Sequence, residues 1–515
     1  MCVPVAEPVS VLDNFIELVN STSVDDSTQP LMGNLQYRDL SEVISVAESS
    51  PISTSPVNAS ISQLRKELVS GSLTAGQLVE ELSARIAERD PSVQAWVTLA
   101  SDLMEQARLS DANMSTPGAA KSLSGIPIGV KDLIDVAGMP TLCGSRHGVP
   151  GAGERDAPSI ARLREAGAII MGKTRTHEYA FGGTTPPTRN PWNLECVPGG
   201  SSGGSGAVLG AGMVPGAIGT DTAGSVRIPA SYCGAVGFMG SYGSVPTNNV
   251  AVLAWSLDHV GAMARTVSDV AHMHSVIADW ESDEWFKGAG SITPQLPAVI
   301  GIPRAVLEPM HPAVRAAFNS AVAELGGNGV EFVDVPWPDP DLLEAIGFVL
   351  MMAESAQYHQ HRMQRPELFD PQVAELLEAG ATVSAKDLLQ AQRVRVQLAE
   401  WFDSLFASTP ILITPTLPCL PPPIGADTFT PVDLGDVTQP LATAHTRFPL
   451  AANIAGIPAG SLPCGLGQGF PIGLQVMGRR GSDHGVLSVM YGIEQVLAQA
   501  GLWQPGAISN QWGGS

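Results

Sequence analysis

The chain has 515 residues, with 50 acidic against 28 basic side chains for a formal net charge of −22, and 44% of its residues are apolar. That length and apolar content build a large globular core, and the negative charge repels nucleic acid and anionic membranes, so neither is expected as a partner. The six cysteines (Cys2, Cys143, Cys196, Cys233, Cys419, Cys464) fall without CxxC or CxxH spacing and the histidines form no HExxH, so free thiols and no metal are expected.

Residues 1–55 are acidic and serine-rich, with one amphipathic stretch at helical spacing (Val11, Leu12, Phe15, Leu18, Val19), read as packing on its own domain. The first basic residue is Arg38, so no positive segment leads an apolar one, and no twenty-residue apolar run follows. A soluble cytoplasmic protein is expected. From Ser60 the pattern turns helical: Ile61, Leu64 and Leu68 share a face and Gly71 ends it, then Thr74 and Gln77 form a capping box before the stripe Leu78, Leu82, Ile86. Near Gly125 short β-type runs begin, IPIGV and AIIMG, separated by a helical ARLREAG. Val260 to Val276 is predicted as a helix and PAVIGIP as a strand. Pro312 opens a helix that Gly326 closes, and VEFVDV is a strand. Residues 341–408 are mainly helical, ILITPTLP, AGSLPCG and PIGLQVMG are strands, and a last helix covers Val486 to Leu497. Strands alternating with helices predict one α/β domain over 56–505, with a mixed, mostly parallel sheet covered by helices on both faces and a short tail at 506–515.

Two stretches carry chemistry. The first is GIPIGVKDLIDVAG, whose Lys131 is one of only six lysines and sits in an apolar run. Burial there lowers its pKa and leaves an amine able to accept a proton, unless it reaches solvent or pairs with Asp132 or Asp135. The second runs from GGSSGGSG (Gly199 to Gly206) to GTDTAGSVRIP (Gly219 to Pro229). No GK[ST] follows the glycines, so it is not a phosphate loop, and NPWNLECVP is a poor strand to lead a GxSxG nucleophile elbow at Ser201. Ser225 closes a run whose amides, Thr222, Ala223, Gly224 and Ser225, are candidates for an oxyanion hole. No histidine lies near either serine in sequence, which makes Lys131 the economical base.

These segments resemble the amidase signature family of Ser-cisSer-Lys hydrolases, with Ser201 and Ser225 spaced 24 residues apart as is typical there. TPTLP, NIAGIPAGSLPCG and PIGLQVMGR extend the resemblance over about residues 56–500. It implies Ser225 as nucleophile, Ser201 after a cis Gly200 peptide as the bridging serine, and Lys131 as the base. It also implies that Asp221 and Arg227 brace the loop, that Ser202 supports the site, and that Ala223 stands where a glycine is common. No cofactor is implied; the substrate would be a small-molecule amide, aryl amide or carbamate, and a homodimer is compatible with the family.

Three other readings stand beside this one. A glutamine amidotransferase subunit of a multi-subunit complex belongs to the same family, but where such subunits carry a YGRVSR-like arginine this chain has Ser244 in YGSVPTNN. An inactive relative acting as a binding module, and an esterase using the GxSxG serine, are the others. The acyl pocket is expected between residues 177–191 and 341–408, with Tyr179, Phe181, Gly199, Gly200 and Met351 as contacts and Met352, Tyr358 and Phe369 as further liners.

Overall fold

The computed structural model describes residues 37–39, 58–116, 118–149, 153–278 and 292–509, so the stretch Val11 to Val19 and most of the N-terminal extension lie outside the described residues. In chain order the strands are β1 (Tyr37–Asp39), β2 (Trp96–Leu99), β3 (Pro127–Lys131), β4 (Ile169–Thr174), β5 (Gly216–Asp221), β6 (Val236–Met239), β7 (His259–Ala264), β8 (Gln295–Pro297), β9 (Val299–Ile302), β10 (Glu331–Asp334), β11 (Ile411–Pro415), β12 (Pro431–Asp433), β13 (Thr438–Pro440), β14 (Ala459–Gly467) and β15 (Phe470–Gly478). Eleven of them form one mixed sheet in the order β10-β9-β11-β15-β14-β6-β7-β5-β3-β4-β2, while β1 pairs with β8 and β12 with β13. The result is a single α/β domain.

The sheet is mixed as expected, with parallel pairing in two blocks, β10-β9-β11 and β5-β3-β4. Between them the centre of the sheet runs antiparallel, which corrects how far the parallel part was expected to extend. One cause is local: Gln468 and Gly469 join β14 to β15 with φ of 52° and 84°, the two-residue turn that only an antiparallel hairpin accepts. The sheet is covered on both faces. Along β11, Ile411 and Ile413 enter one apolar cluster and Leu412 another, because successive side chains of a strand point to opposite faces. The helices Ala75–Val93, Pro312–Gly327 and Asp483–Gln499 contribute to the first cluster, and Pro340–His359 and Ala385–Ser408 to the second.

Several elements form for the reasons legible in the sequence. Thr74 and Gln77 close a capping box, as do Ser60 and Gln63, and Gly71 ends the first helix at φ 75°. The predicted helix over Val260 to Val276 is instead two elements, β7 and the helix Val267–Ile277. His259–Ala264 pairs with β5 on one side and β6 on the other, and because this central part of the sheet is covered on both faces every residue of β7 is buried, so the alternation that marks a half-exposed strand is missing. Among the described residues no helix is long and apolar enough to cross a membrane.

This topology sets Lys131 at the carboxyl end of β3. The parallel register Val130↔Ile218 brings Gly219 and Thr220 of β5 alongside, at the strand ends where open α/β sheets place their sites. A second buried lysine underlies it. Lys173 on β4 lies 3.0 Å from Asp132 Oδ1, with both side chains fully buried, and Asp132 Oδ2 accepts from the amides of Leu142 and Cys143. Asp132 is therefore engaged by Lys173 rather than by Lys131. Replacing Lys173→Met leaves that carboxylate buried and unpaired, and is expected to lower stability by about 3–5 kcal/mol, read as a lower urea midpoint. Adding Asp132→Asn should recover part of the loss, since no charge is then stranded.

Candidate active site

The glycine-rich segment passes through a narrow space before the helix Gly203–Gly210. A Cβ at Gly200 would collide with the Thr184 carbonyl oxygen, so only glycine lets the backbone through. The Gly200–Ser201 peptide is cis. Thr185 ties the segment down: its hydroxyl lies 3.0 and 3.2 Å from the carbonyl oxygens of Gly199 and Ser201 and accepts from the Gly203 amide at 3.1 Å.

Lys131 is the hub of the site. Its Nζ is fully buried, 2.8 Å from Ser201 Oγ, 2.8 Å from Ser202 Oγ and 2.7 Å from Thr220 Oγ1. Burial lowers its pKa to about 7, even though the carboxylates of Asp221 and Asp258 pull the other way. The hydrogen-bond inventory then orients the amine. Ser202 Oγ donates its proton to the Thr220 carbonyl (3.0 Å) and accepts from the Thr220 amide (3.2 Å), so toward Nζ it can only accept. A neutral amine has two protons and one lone pair. With one proton given to Ser202, the second proton and the lone pair are left to be shared between the hydroxyls of Thr220 and Ser201.

Ser225 lies between β5 and the short helix Arg227–Cys233, buried, with its carbonyl accepting from the Ser202 amide at 3.2 Å. Its hydroxyl makes no hydrogen bond to Ser201 among the described residues, so the contact expected between the two serines is not closed here. Asp221 shapes the loop that carries it. Its carboxylate accepts from the amides of Gly224 (2.7 Å) and Val226 (3.0 Å) and from Arg227 through two nitrogens (3.0 and 2.9 Å). Burial alone would push that carboxyl up, but Arg227, Asn453 and the Val226 amide hold it well below the usual carboxylate range. Of the four amides expected at the oxyanion hole (Thr222, Ala223, Gly224 and Ser225), that of Gly224 is committed to Asp221. Gly224 itself sits at φ 114°, a conformation that side-chain-bearing residues rarely adopt.

Four of the expected acyl-pocket residues, Tyr179, Phe181, Met351 and Phe369, meet in one apolar cluster, and Gly199, Gly200, Met352 and Tyr358 lie outside it. Tyr179 and Phe369 are buried in it with Leu133, Cys143 and Leu253, and Phe181 and Met351 pack against it half-buried. Tyr179 donates its hydroxyl to the Gly148 carbonyl and its ring lies 4.3 Å from that of His359. Met352 is buried in the helix Pro340–His359. Thr220, Asp258 and His259 also belong to the site. Thr220 touches Lys131, and Asp258 accepts a 2.6 Å hydrogen bond from the Thr222 hydroxyl. No motif in the sequence marks Asp258 or His259; the signal is geometric, from the pairing of β7 with β5.

With the fold and this geometry in hand, comparison with known proteins is decisive on family. The sequence profile of the amidase family matches residues 77–487, so the chain belongs to that family. It is 33% identical over 473 residues to a glutamyl-tRNA(Gln) amidotransferase subunit of Chlamydia pneumoniae, covering 84% of this chain and 94% of that protein. It is 35% identical over 423 residues to an amidase of Pseudomonas putida, covering 79% and 89%. A bacterial aryl acylamidase of the amidase signature family superposes with a TM-score of 0.75 at 25% identity, covering 86% of this chain and 98% of that one.

The clamp on the Ser225 loop can be tested by stability. Arg227→Met leaves the Asp221 carboxylate buried without its cationic partner, and stability at neutral pH is expected to fall by about 3–5 kcal/mol. The native carboxyl is held below its unfolded value, so its contribution is present above that value and is lost on acidification. Chemical denaturation should therefore show the gap between wild type and variant narrowing from about pH 5 downward.

Proposed function

We propose that the protein hydrolyses the C–N bond of a small-molecule amide through an acyl-enzyme formed on Ser225. The observation that carries this reading is the buried Lys131 amine at 2.8 Å from Ser201, with its pKa lowered by burial to about 7. Lys131 takes the Ser201 proton as Ser201 takes that of Ser225, and Ser225 attacks the carbonyl carbon. The amides of Thr222, Ala223 and Ser225 face the developing oxyanion. The relay then runs in reverse: the proton held on Lys131 passes to the leaving nitrogen, the C–N bond breaks, and water resolves the ester by the same path. Closing the gap between Ser201 and Ser225 is assigned to substrate binding, since catalytic hydrogen bonds commonly tighten only in the complex. Asp221 and Arg227 hold the loop in shape, and Tyr179, Phe181, Gly199, Gly200 and Met351 bound the acyl side. Nothing in this chemistry calls for a cofactor, and amides, aryl amides and carbamates share the carbonyl it acts on.

A second reading, a glutamine-using amidotransferase subunit, is favoured by the relatives that bear that name. One plate separates the two: a nitroanilide, an aryl carbamate, a primary aryl acetamide and glutamine, each with Ser225→Ala as blank. Turnover of any of the first three that vanishes in the variant is the expected result. Glutamine alone, or silence throughout, would favour the second reading or an inactive relative.

The relay makes two further demands. Lys131→Ala and Ser201→Ala should each lower kcat by about a thousandfold or more, and the double variant should be scarcely worse than either single one; additive losses would mean the two residues act separately. The base must be neutral, so kcat/KM should fall by about tenfold per pH unit below the Lys131 pKa and level off above it. A profile flat down to about pH 5 would show that Lys131 is not the base.

A further inference from the structure

A small cavity of about 30 Å³ borders the site, walled by Thr220, Thr222, Asp258 and His259 with the apolar side chains of Leu133 and Leu253. Exposed Thr247 and Trp255 form its rim. His259 is only 4% exposed. Its Nδ1 lies 2.6 Å from the Leu257 carbonyl oxygen and 3.3 Å from that of Asp221. A carbonyl can only accept, so the ring proton resides on Nδ1 and the bare lone pair is on Nε2. Nε2 has no partner among the described residues, and burial keeps the ring neutral by lowering its pKa. Beside it the Thr222 hydroxyl gives its proton to Asp258, whose carboxylate also takes the amides of Leu253 and Ala254. The wall thus offers an unused acceptor and a carboxylate, and the group that satisfies it is a hydrogen-bond donor.

Two further facts narrow the occupant. Room for about one or two water-sized molecules excludes an aromatic ring. The cavity is also one residue from Lys131, because Thr220 lines it and has its Oγ1 2.7 Å from Nζ.

We propose that this cavity seats the nitrogen of an unsubstituted amine, with His259 Nε2 as its acceptor: ammonia as it leaves a primary amide, and a small amine when one returns as nucleophile to the acyl-enzyme. This rests on the amidohydrolase reading and adds the substrate class, primary amides rather than anilides. In the transfer direction the amine nitrogen bonds to the acyl carbon and the bond from that carbon to the Ser225 oxygen breaks. One amine proton returns through Lys131 and Ser201 to Ser225, and nothing is oxidised or reduced.

The test uses the full-length protein turning over a primary aryl acetamide with hydroxylamine present as the small amine, and reads the ratio of hydroxamate to free acid. His259→Leu is expected to lower that ratio about tenfold, the scale of one hydrogen bond, while His259→Gln, which returns an acceptor oxygen, recovers most of it. Thr247→Trp, at the exposed rim, should lower the ratio without disturbing the interior, and it carries the test if His259→Leu does not fold. An unchanged ratio in these variants overturns the amine seat, and a raised ratio overturns it too, showing that the cavity serves the hydrolytic water. The ratio is read only from molecules that have formed the acyl-enzyme. Failure of the amidohydrolase reading therefore shows separately, as no Ser225-dependent product from the unaltered chain.

Discussion

The structure turns on an amine taken wholly out of water and surrounded by hydroxyls. Lys131 meets Ser201, Ser202 and Thr220 at 2.7 to 2.8 Å, and among the described residues no carboxylate is within ion-pair distance of it. Desolvation disfavours the ammonium, and hydroxyls, unlike carboxylates, do not restore it. The sheet supplies this environment, with Lys131 ending one strand and Thr220 near the end of its parallel neighbour. Asp132, adjacent in sequence and the obvious counter-ion, is drawn away by Lys173 on the other side. Two buried lysines on neighbouring strands thus have opposite surroundings, one with a carboxylate and one with hydroxyls.

Much of this was legible in the sequence, for identifiable reasons. The capping box at Thr74 and the glycine at 71 act locally, so the sequence announces them directly. Lys131, Ser201 and Ser225 stood out because a rare lysine in an apolar run and a long run of glycines and serines are costly features that packing alone does not explain. What stayed hidden depends on pairing. β5 reads GAIGTD and looks like loop, yet it is a fully buried strand between β3 and β7. β7 was hidden for the same reason, since a strand covered on both faces shows no alternation. Asp258 and His259 reach the site only because β7 pairs with β5, and no spacing in the sequence encodes that contact.

The loop from Asp221 to Ser225 shows how an amide that looks free in the sequence is used by the fold. Counting free amides from Thr222 to Ser225 gives four, but Asp221 takes the one at Gly224. The carboxylate is occupied in shaping the turn, and a loop of small residues that looks adaptable is pinned by charge-assisted hydrogen bonds. Ser225 follows that turn and precedes Val226, the N-cap of the helix Arg227–Cys233.

Arg227 carries a further consequence for how the molecule comes into being. Its guanidinium bonds Asp221 six residues back, but it also reaches the Pro449 carbonyl, Asn453 and Gln475, partners 222, 226 and 248 residues further along the chain. During synthesis the glycine-rich loop, Lys131 and Ser225 all leave the ribosome long before those partners exist. Until the strand at Gln475 emerges, the arginine lacks that partner and the socket around it and its carboxylate is unfinished. The socket around the Ser225 loop is therefore completed late, by residues more than two hundred positions downstream of Arg227.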